Sequence, residues 1–295
     1  MTPMGPQPLD ISVAGGELRA LRWGTGERTI VAAHGITGSA MSWQAIGRAL
    51  PEDWSLVALD LRGRGASNEL PGPYGLGRHA EDVLAAIRQL GGHPVLTGHS
   101  MGAYVALLAN DAEPGLAGRL VLLDGGLPLP VPDGADLDEV LNASLGPAIA
   151  RLSQTYPSPQ AYLDFWRAHP AFTDAWTADV EDYVRYDLTG PAGALRSRAL
   201  EAAVRPDGRD LLASGQRFAR ALQRLTRPTT LLTAPSGMFG KPPGMLPDWL
   251  VTDWRERAAQ LRPRLVPAVN HYTILFAPAA VATVVSALTD AAGAR

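Results

Sequence analysis

The chain contains no cysteine, so disulfide bonds, thiolate catalysis and cysteine-bound metals are all excluded. Lysine is nearly missing as well: Lys241 is the only one, a skew that coding bias explains and that carries no functional weight. No charge of one sign accumulates, because 26 basic and 29 acidic residues are mixed along the chain to a net charge of -3. That balance offers neither a nucleic-acid footprint nor a membrane-binding face. Long apolar runs are missing too. No segment approaches the roughly 20 residues needed to span a bilayer, and the opening MTPMGPQPLDISVAGG lacks the basic and apolar regions of a secretory signal. The expectation is a cytoplasmic protein without nucleic-acid or membrane partners. The oligomeric state is not legible.

What is present is 295 residues, 46 % of them hydrophobic, in an α/β rhythm. Leu9 to Val13 and Glu17 to Trp23 read as an opening hairpin. Thr29 to Ala33, Leu56 to Leu59, Pro94 to Thr97 and Leu120 to Leu123 are near-continuous apolar strands of the kind buried on both faces. Between them, Ser42 to Leu50, Arg78 to Leu90 and Met101 to Asn110 place apolar residues at helical spacing. Strand signals then stop, and Leu137 to Leu152, Pro159 to Ala168, Ala178 to Tyr186 and Gly208 to Leu225 all read as helices. The α/β rhythm resumes with a strand at Thr229 to Thr233, a helix near Trp249 to Leu261, a strand at Arg264 to Val269 and a closing helix over Ala277 to Ala292. The expected division is a core of residues 1–125 and 228–295, with a helical cap of residues 126–227 inserted into it.

The strongest chemical signal is Gly98-His99-Ser100-Met101-Gly102, lying between an apolar strand and a helix. A G-x-S-x-G sequence in that setting forms a nucleophile elbow, a strained turn that lifts the serine oxygen above the sheet. A serine hydroxyl needs a base, and His271 stands where one is wanted, in the loop between the last strand and the final helix. The other histidines read as structural or solvated: His34 in an HG turn, His99 in the elbow but pointing away from the site, His79 and His93 flanking a surface helix, His169 in the insertion. An oxyanion requires backbone N–H donors already aimed at it. Met101, directly after the serine, supplies one, and Ile36 in the Gly-rich loop His34 to Ser39 is expected to supply the other.

His34-Gly35, Asp60-Leu61-Arg62-Gly63-Arg64-Gly65, the Ser100 elbow and the His271 loop stand in the order in which the α/β-hydrolase superfamily carries them, and the chain resembles that superfamily over essentially its whole length. The resemblance implies an α/β-hydrolase fold: a mostly parallel eight-stranded sheet flanked by helices, a Ser-acid-His triad and a helical cap inserted after strand 6. The acid departs from the commonest pattern. After the seventh strand the sequence reads Leu232 to Phe239 without a carboxylate, and Asp248 and Asp253 look like parts of a helix. Asp124, ending the sixth strand before two glycines, is the alternative seat that some members of the superfamily use. Asp60 is expected to brace its loop by pairing with Arg62 or Arg64. Of the aromatic residues in the cap, Trp166, Trp176 and Tyr183 are candidates to touch substrate.

A serine at the elbow argues against the haloalkane dehalogenase and epoxide hydrolase branches, which need an aspartate there. The expected reaction is hydrolysis of a carboxylic ester or lactone of a small, largely apolar molecule through an acyl-Ser100 intermediate, with no cofactor and no metal. C–C bond hydrolysis or perhydrolysis with the same triad, and ligand binding without turnover, stay open as alternatives.

Overall fold

The computed structural model describes residues 5–290. The start of the N-terminal stretch, residues 1–4, and the expected extension of the last helix over 291–292 lie outside the described residues.

β1 (Gln7–Val13) and β2 (Gly16–Trp23) form the expected antiparallel hairpin, turning at Gly15 and Gly16, which have φ of 91° and 145°. β3 (Arg28–Ala33), α1 (Gln44–Arg48), β4 (Trp54–Leu59), α2 (Leu76–Leu90), β5 (Val95–His99), α3 (Met101–Ala112) and β6 (Arg119–Leu123) then alternate. The insertion follows, with α4 (Leu137–Leu152), α5 (Pro159–Arg167), α6 (Ala178–Tyr186), a ribbon of β7 (Leu188–Thr189) and β8 (Arg196–Ser197), α7 (Glu201–Ala213) and α8 (Gly215–Gln223). β9 (Thr229–Thr233), α9 (Asp248–Arg257), β10 (Leu261–Leu265) and α10 (Pro278–Thr289) complete the chain.

The eight-stranded sheet has the order β1-β2-β4-β3-β5-β6-β9-β10 and is parallel from β4 onward. β4 shows why the central strands read as unbroken apolar runs. All six of its residues are buried; Val57 and Leu59 enter the core on one face of the sheet, Leu56 and Ala58 the core on the other. Because β3, β5, β6 and β9 are parallel, their C-terminal ends open on one edge, where a site between neighbouring loops forms naturally.

Several elements differ from the sequence reading, among them the β7–β8 ribbon in a stretch read as wholly helical. The last strand lies at Leu261–Leu265 rather than Arg264 to Val269, because its register is set by pairing with β9, Leu261 opposite Thr229. Pro263, which has no N–H, is tolerated there because β10 is an edge strand. Val266 and Val269, whose apolarity prompted the later placement, follow the strand and are buried in the core on one face of the sheet. The single helix expected over Gly208 to Leu225 is two, α7 and α8, divided at Ser214. The second of them packs on core helix α3, with the Tyr104 and Phe218 rings 4.7 Å apart.

Candidate active site

Ser100 sits at the junction of β5 and α3 with φ 54° and ψ -124°, a strained conformation for a residue with a side chain. The crowding of the elbow explains its glycines. A Cβ on Gly98 would stand 2.0 Å from the Gly102 carbonyl oxygen, and one on Gly102 would stand 2.2 Å from that of Ala33. Side chains at these positions would force strand and helix apart.

Asp124 leaves β6 with φ 46°, also in the left-handed region, and its carboxylate turns toward the histidine loop. Its Oδ2 lies 2.6 Å from His271 Nδ1, while Oδ1 accepts the Ala234 N–H at 3.1 Å. The carboxylate beside His271 thus comes from the end of β6, and the end of β9 contributes a backbone donor to hold it. Gly125 is required beside it, since a Cβ there would meet the Ser100 carbonyl oxygen at 2.3 Å. Asp248 and Asp253 do not join this group: Asp248 is exposed at the first position of α9, and Asp253 pairs with Arg257 at 2.9 Å.

The loop after β3 holds a peptide plane in place. Leu61 N–H donates to His34 Nε2 at 3.0 Å, which leaves the ring proton on Nδ1 to donate to the Gly35 carbonyl at 2.7 Å. Gly38 N–H donates to the same carbonyl at 2.9 Å. In a trans peptide the N–H points opposite to the C=O, so anchoring the Gly35 oxygen from behind turns the Ile36 N–H away from both donors. Arg64 fixes the next plane through Nε to the Ile36 carbonyl, 2.9 Å. Neither Ile36 N–H nor Met101 N–H donates to an acceptor among the described residues, and both residues line the cavity over Ser100. Full burial drives the His34 pKa down to about 3, so the ring stays neutral in this role.

His99 corrects an expectation. It lines the cavity rather than pointing away, and its Nε2 donates to the His271 carbonyl at 2.8 Å, bracing the loop that carries His271. Burial, and then the neighbouring His271, hold its pKa well below the ordinary value. Asp60 does brace its loop, yet through Ala40 N–H (2.7 Å), Ala66 N–H (2.8 Å) and the Tyr186 hydroxyl (2.6 Å) rather than through an arginine. Arg62 pairs with Asp82 and Arg64 with Asp207 of α7. His79, expected at the surface, is fully buried on the same Asp207 at 2.8 Å.

Ser100, His271 and Asp124 share one cavity with Gly35, Ile36 and Met101 at its floor. Its upper wall comes from the insertion through Leu141, Ser144, Leu145, Ala148, Leu211 and Leu212, and from Tyr183 among the aromatic candidates. The cavity has a volume of about 110 Å³, room for a small molecule. Trp166 lines an adjoining cavity. Trp176 lines neither: it packs beneath the Arg167 guanidinium, 5.0 Å from its ring, and edge-on to Phe172. Sequence reasoning missed Tyr272, Met238 and Met245, which also face Ser100's cavity; adjacency to His271 is the one signal that pointed to Tyr272. Among the described residues no group of three or more His, Asp or Glu is gathered as a metal site, and no helix is long and apolar enough to cross a membrane.

A serine at a strained turn, a histidine tied to a carboxylate and two unpaired N–H groups in one apolar cavity are the parts needed for acyl transfer. Comparison with known proteins agrees on the class. The chain is 30 % identical over 207 residues to the N-formylmaleamate deformylase of Pseudomonas putida, covering 64 % of this chain and 77 % of that protein. It is 33 % identical over 92 residues to the 2-(acetamidomethylene)succinate hydrolase of Mesorhizobium japonicum, about a third of either length. In structure it is similar to an E-2-(acetamidomethylene)succinate hydrolase with a TM-score of 0.79 at 20 % identity, over 97 % of this chain and 100 % of that one. The profile of the Alpha/beta hydrolase family matches residues 30–284, and the chain belongs to that family of hydrolases.

Proposed function

We propose that this chain hydrolyses a carboxylic ester or lactone of a small, largely apolar molecule through an acyl-Ser100 intermediate. The observation that carries the reading is the 2.6 Å bond between Asp124 and His271 in a cavity that also holds Ser100. His271 Nε2 takes the hydroxyl proton as Ser100 Oγ attacks the carbonyl carbon. Ile36 and Met101 N–H donate to the oxygen on which charge develops. The C–O bond to the leaving group breaks, and the imidazolium returns the proton to the departing alcohol. Water then repeats the sequence on the acyl-enzyme, giving its proton to His271 and releasing the acid. Asp124 stays ionised throughout, holding the ring and stabilising its cation. No hydrogen bond joins Ser100 Oγ to His271 among the described residues, and that contact forms as the hydroxyl turns toward the ring in the substrate complex.

Among the described residues no lysine or arginine lines this cavity, and the one carboxylate there, Asp124, is committed to His271. A charged group next to the scissile carbonyl would therefore be desolvated without a partner, which favours an uncharged reacting end. The deformylase relative, whose name places its formyl group on nitrogen, supports a second reading in which the leaving atom is an amide nitrogen. A panel of p-nitrophenyl esters, small lactones and N-acyl amides separates the two. Turnover of esters and lactones is expected; turnover of amides alone replaces the first reading with the second.

A further inference from the structure

A second cavity of about 80 Å³ on the same measure adjoins the first; Thr37, Ser144, Ala148, Met238 and Tyr272 line both. Arg151 of α4, which does not line the first cavity, lines this one, with its side chain only 3 % exposed. Its hydrogen bonds leave through Nη1, to Asp187 Oδ2 at 2.9 Å and to the Tyr162 hydroxyl. Nη2 is buried with no partner among the described residues. Asp187 is already occupied, since it also receives the Ser197 and Tyr162 hydroxyls. Trp166 offers its ring face 5.0 Å from the guanidinium carbon, which softens the cost of burying the charge but accepts no hydrogen bond in a line with an N–H. An unmet charged donor of this kind is costly unless something uses it.

We infer that Arg151 Nη2 binds the far end of the substrate, and that the acyl portion therefore carries a second acceptor oxygen, a carbonyl or a carboxylate, beyond the carbon attacked by Ser100. The inference rests on the acyl-Ser100 reading. The chain of the substrate crosses the apolar first cavity and passes the shared wall at Ser144 and Ala148. Nη2 is covered by its neighbours, so the oxygen reaches it by displacing that wall, where Met238 is the unbranched and deformable member. This division gives the site an apolar reacting end and one polar contact at a distance, the usual economy of a small-molecule pocket.

The experiment compares kcat/KM on p-nitrophenyl pentanoate with that on the 4-oxopentanoate and on the carboxylate-ended glutarate monoester. Wild-type enzyme is expected to favour at least one oxygen-bearing ester about tenfold or more, and the two arms show whether a carbonyl or a carboxylate is preferred. Arg151→Lys keeps a cation for Asp187 but loses the second nitrogen arm, and the preference is expected to fall toward one. Ala148→Phe, which fills the passage and leaves the Arg151–Asp187 pair intact, is expected to do the same, so the test survives if the arginine variant does not fold. Brisk turnover with no wild-type preference, or a preference unchanged in both variants, overturns the inference alone. Turnover of none of the esters overturns the ester reading and the inference with it.

Discussion

Asp124 Oδ2 lies 2.6 Å from His271 Nδ1 across 147 positions of sequence, and the left-handed backbone of Asp124 makes that reach possible. The bond fixes which ring nitrogen faces Ser100. Asp124→Asn removes the charge and presents an amide to a ring nitrogen that must stay protonated, so kcat is expected to fall about 10³- to 10⁴-fold. Asp248→Asn and Asp253→Asn are expected within about twofold of wild type, because neither residue touches this group. Steady-state ester hydrolysis by the three variants checks the assignment; near-normal turnover by Asp124→Asn contradicts it.

His34 is a positioning residue in this account, acting on the Ile36 N–H through the Gly35 carbonyl. Loss of one oxyanion donor costs about 10²- to 10³-fold in kcat, and His34→Ala, which only frees the peptide plane, is expected to approach the lower figure with KM little changed. His34→Asn keeps an N–H near the place of Nδ1 and is expected to recover part of the loss. Equal kcat for the alanine and asparagine variants, with both folded, would sink the idea.

Gly125→Ala places a methyl group 2.3 Å from the Ser100 carbonyl oxygen. Because the contact is with backbone, the elbow itself must shift. A destabilisation of about 1–3 kcal/mol is expected in urea unfolding, with a larger proportional loss of activity than of folded protein. Unchanged stability and activity would show that the Asp124 turn is softer than described.

Acid should destabilise the fold. His34 and His99 are buried and neutral, with pKa values of about 3 and well below ordinary respectively, both first through burial. In the unfolded chain each titrates near 6.5, so below about pH 6.5 the unfolded state binds more protons, for His34 down to about pH 3. Their contribution is therefore complete above pH 6.5 and is lost as pH falls, at about 1.4 kcal/mol per pH unit for each histidine. Asp60, raised by burial, has the opposite slope and offsets part of this loss. Unfolding free energies at pH 7.5, 6 and 5 check the sign; a flat or rising profile toward acid contradicts it.

The sheet was readable because central parallel strands are apolar on both faces, and Ser100 because the Gly98 and Gly102 contacts leave no alternative residue there. Its place at a strand end made Asp124 a candidate acid, and what the structure adds is its contact with His271. His99 and His79 were not readable: a single histidine in a local pattern does not reveal that a loop 172 residues on, or a helix 128 residues on, brings it an acceptor. The same holds for Asp60, whose donors come from α6 and two separate loops. Trp176 was misplaced because helical spacing of aromatics marks burial without telling a cavity wall from a stack on Arg167.

The most direct test of the account is covalent. Intact-mass and peptide mass spectrometry after brief exposure to a fluorophosphonate should find one phosphonyl group, on the peptide bearing Ser100. The adduct should be absent from Ser100→Ala, whose ester turnover should fall to background. No adduct on the wild-type enzyme, an adduct on another residue, or undiminished turnover by Ser100→Ala would contradict the proposal that Ser100 is the nucleophile.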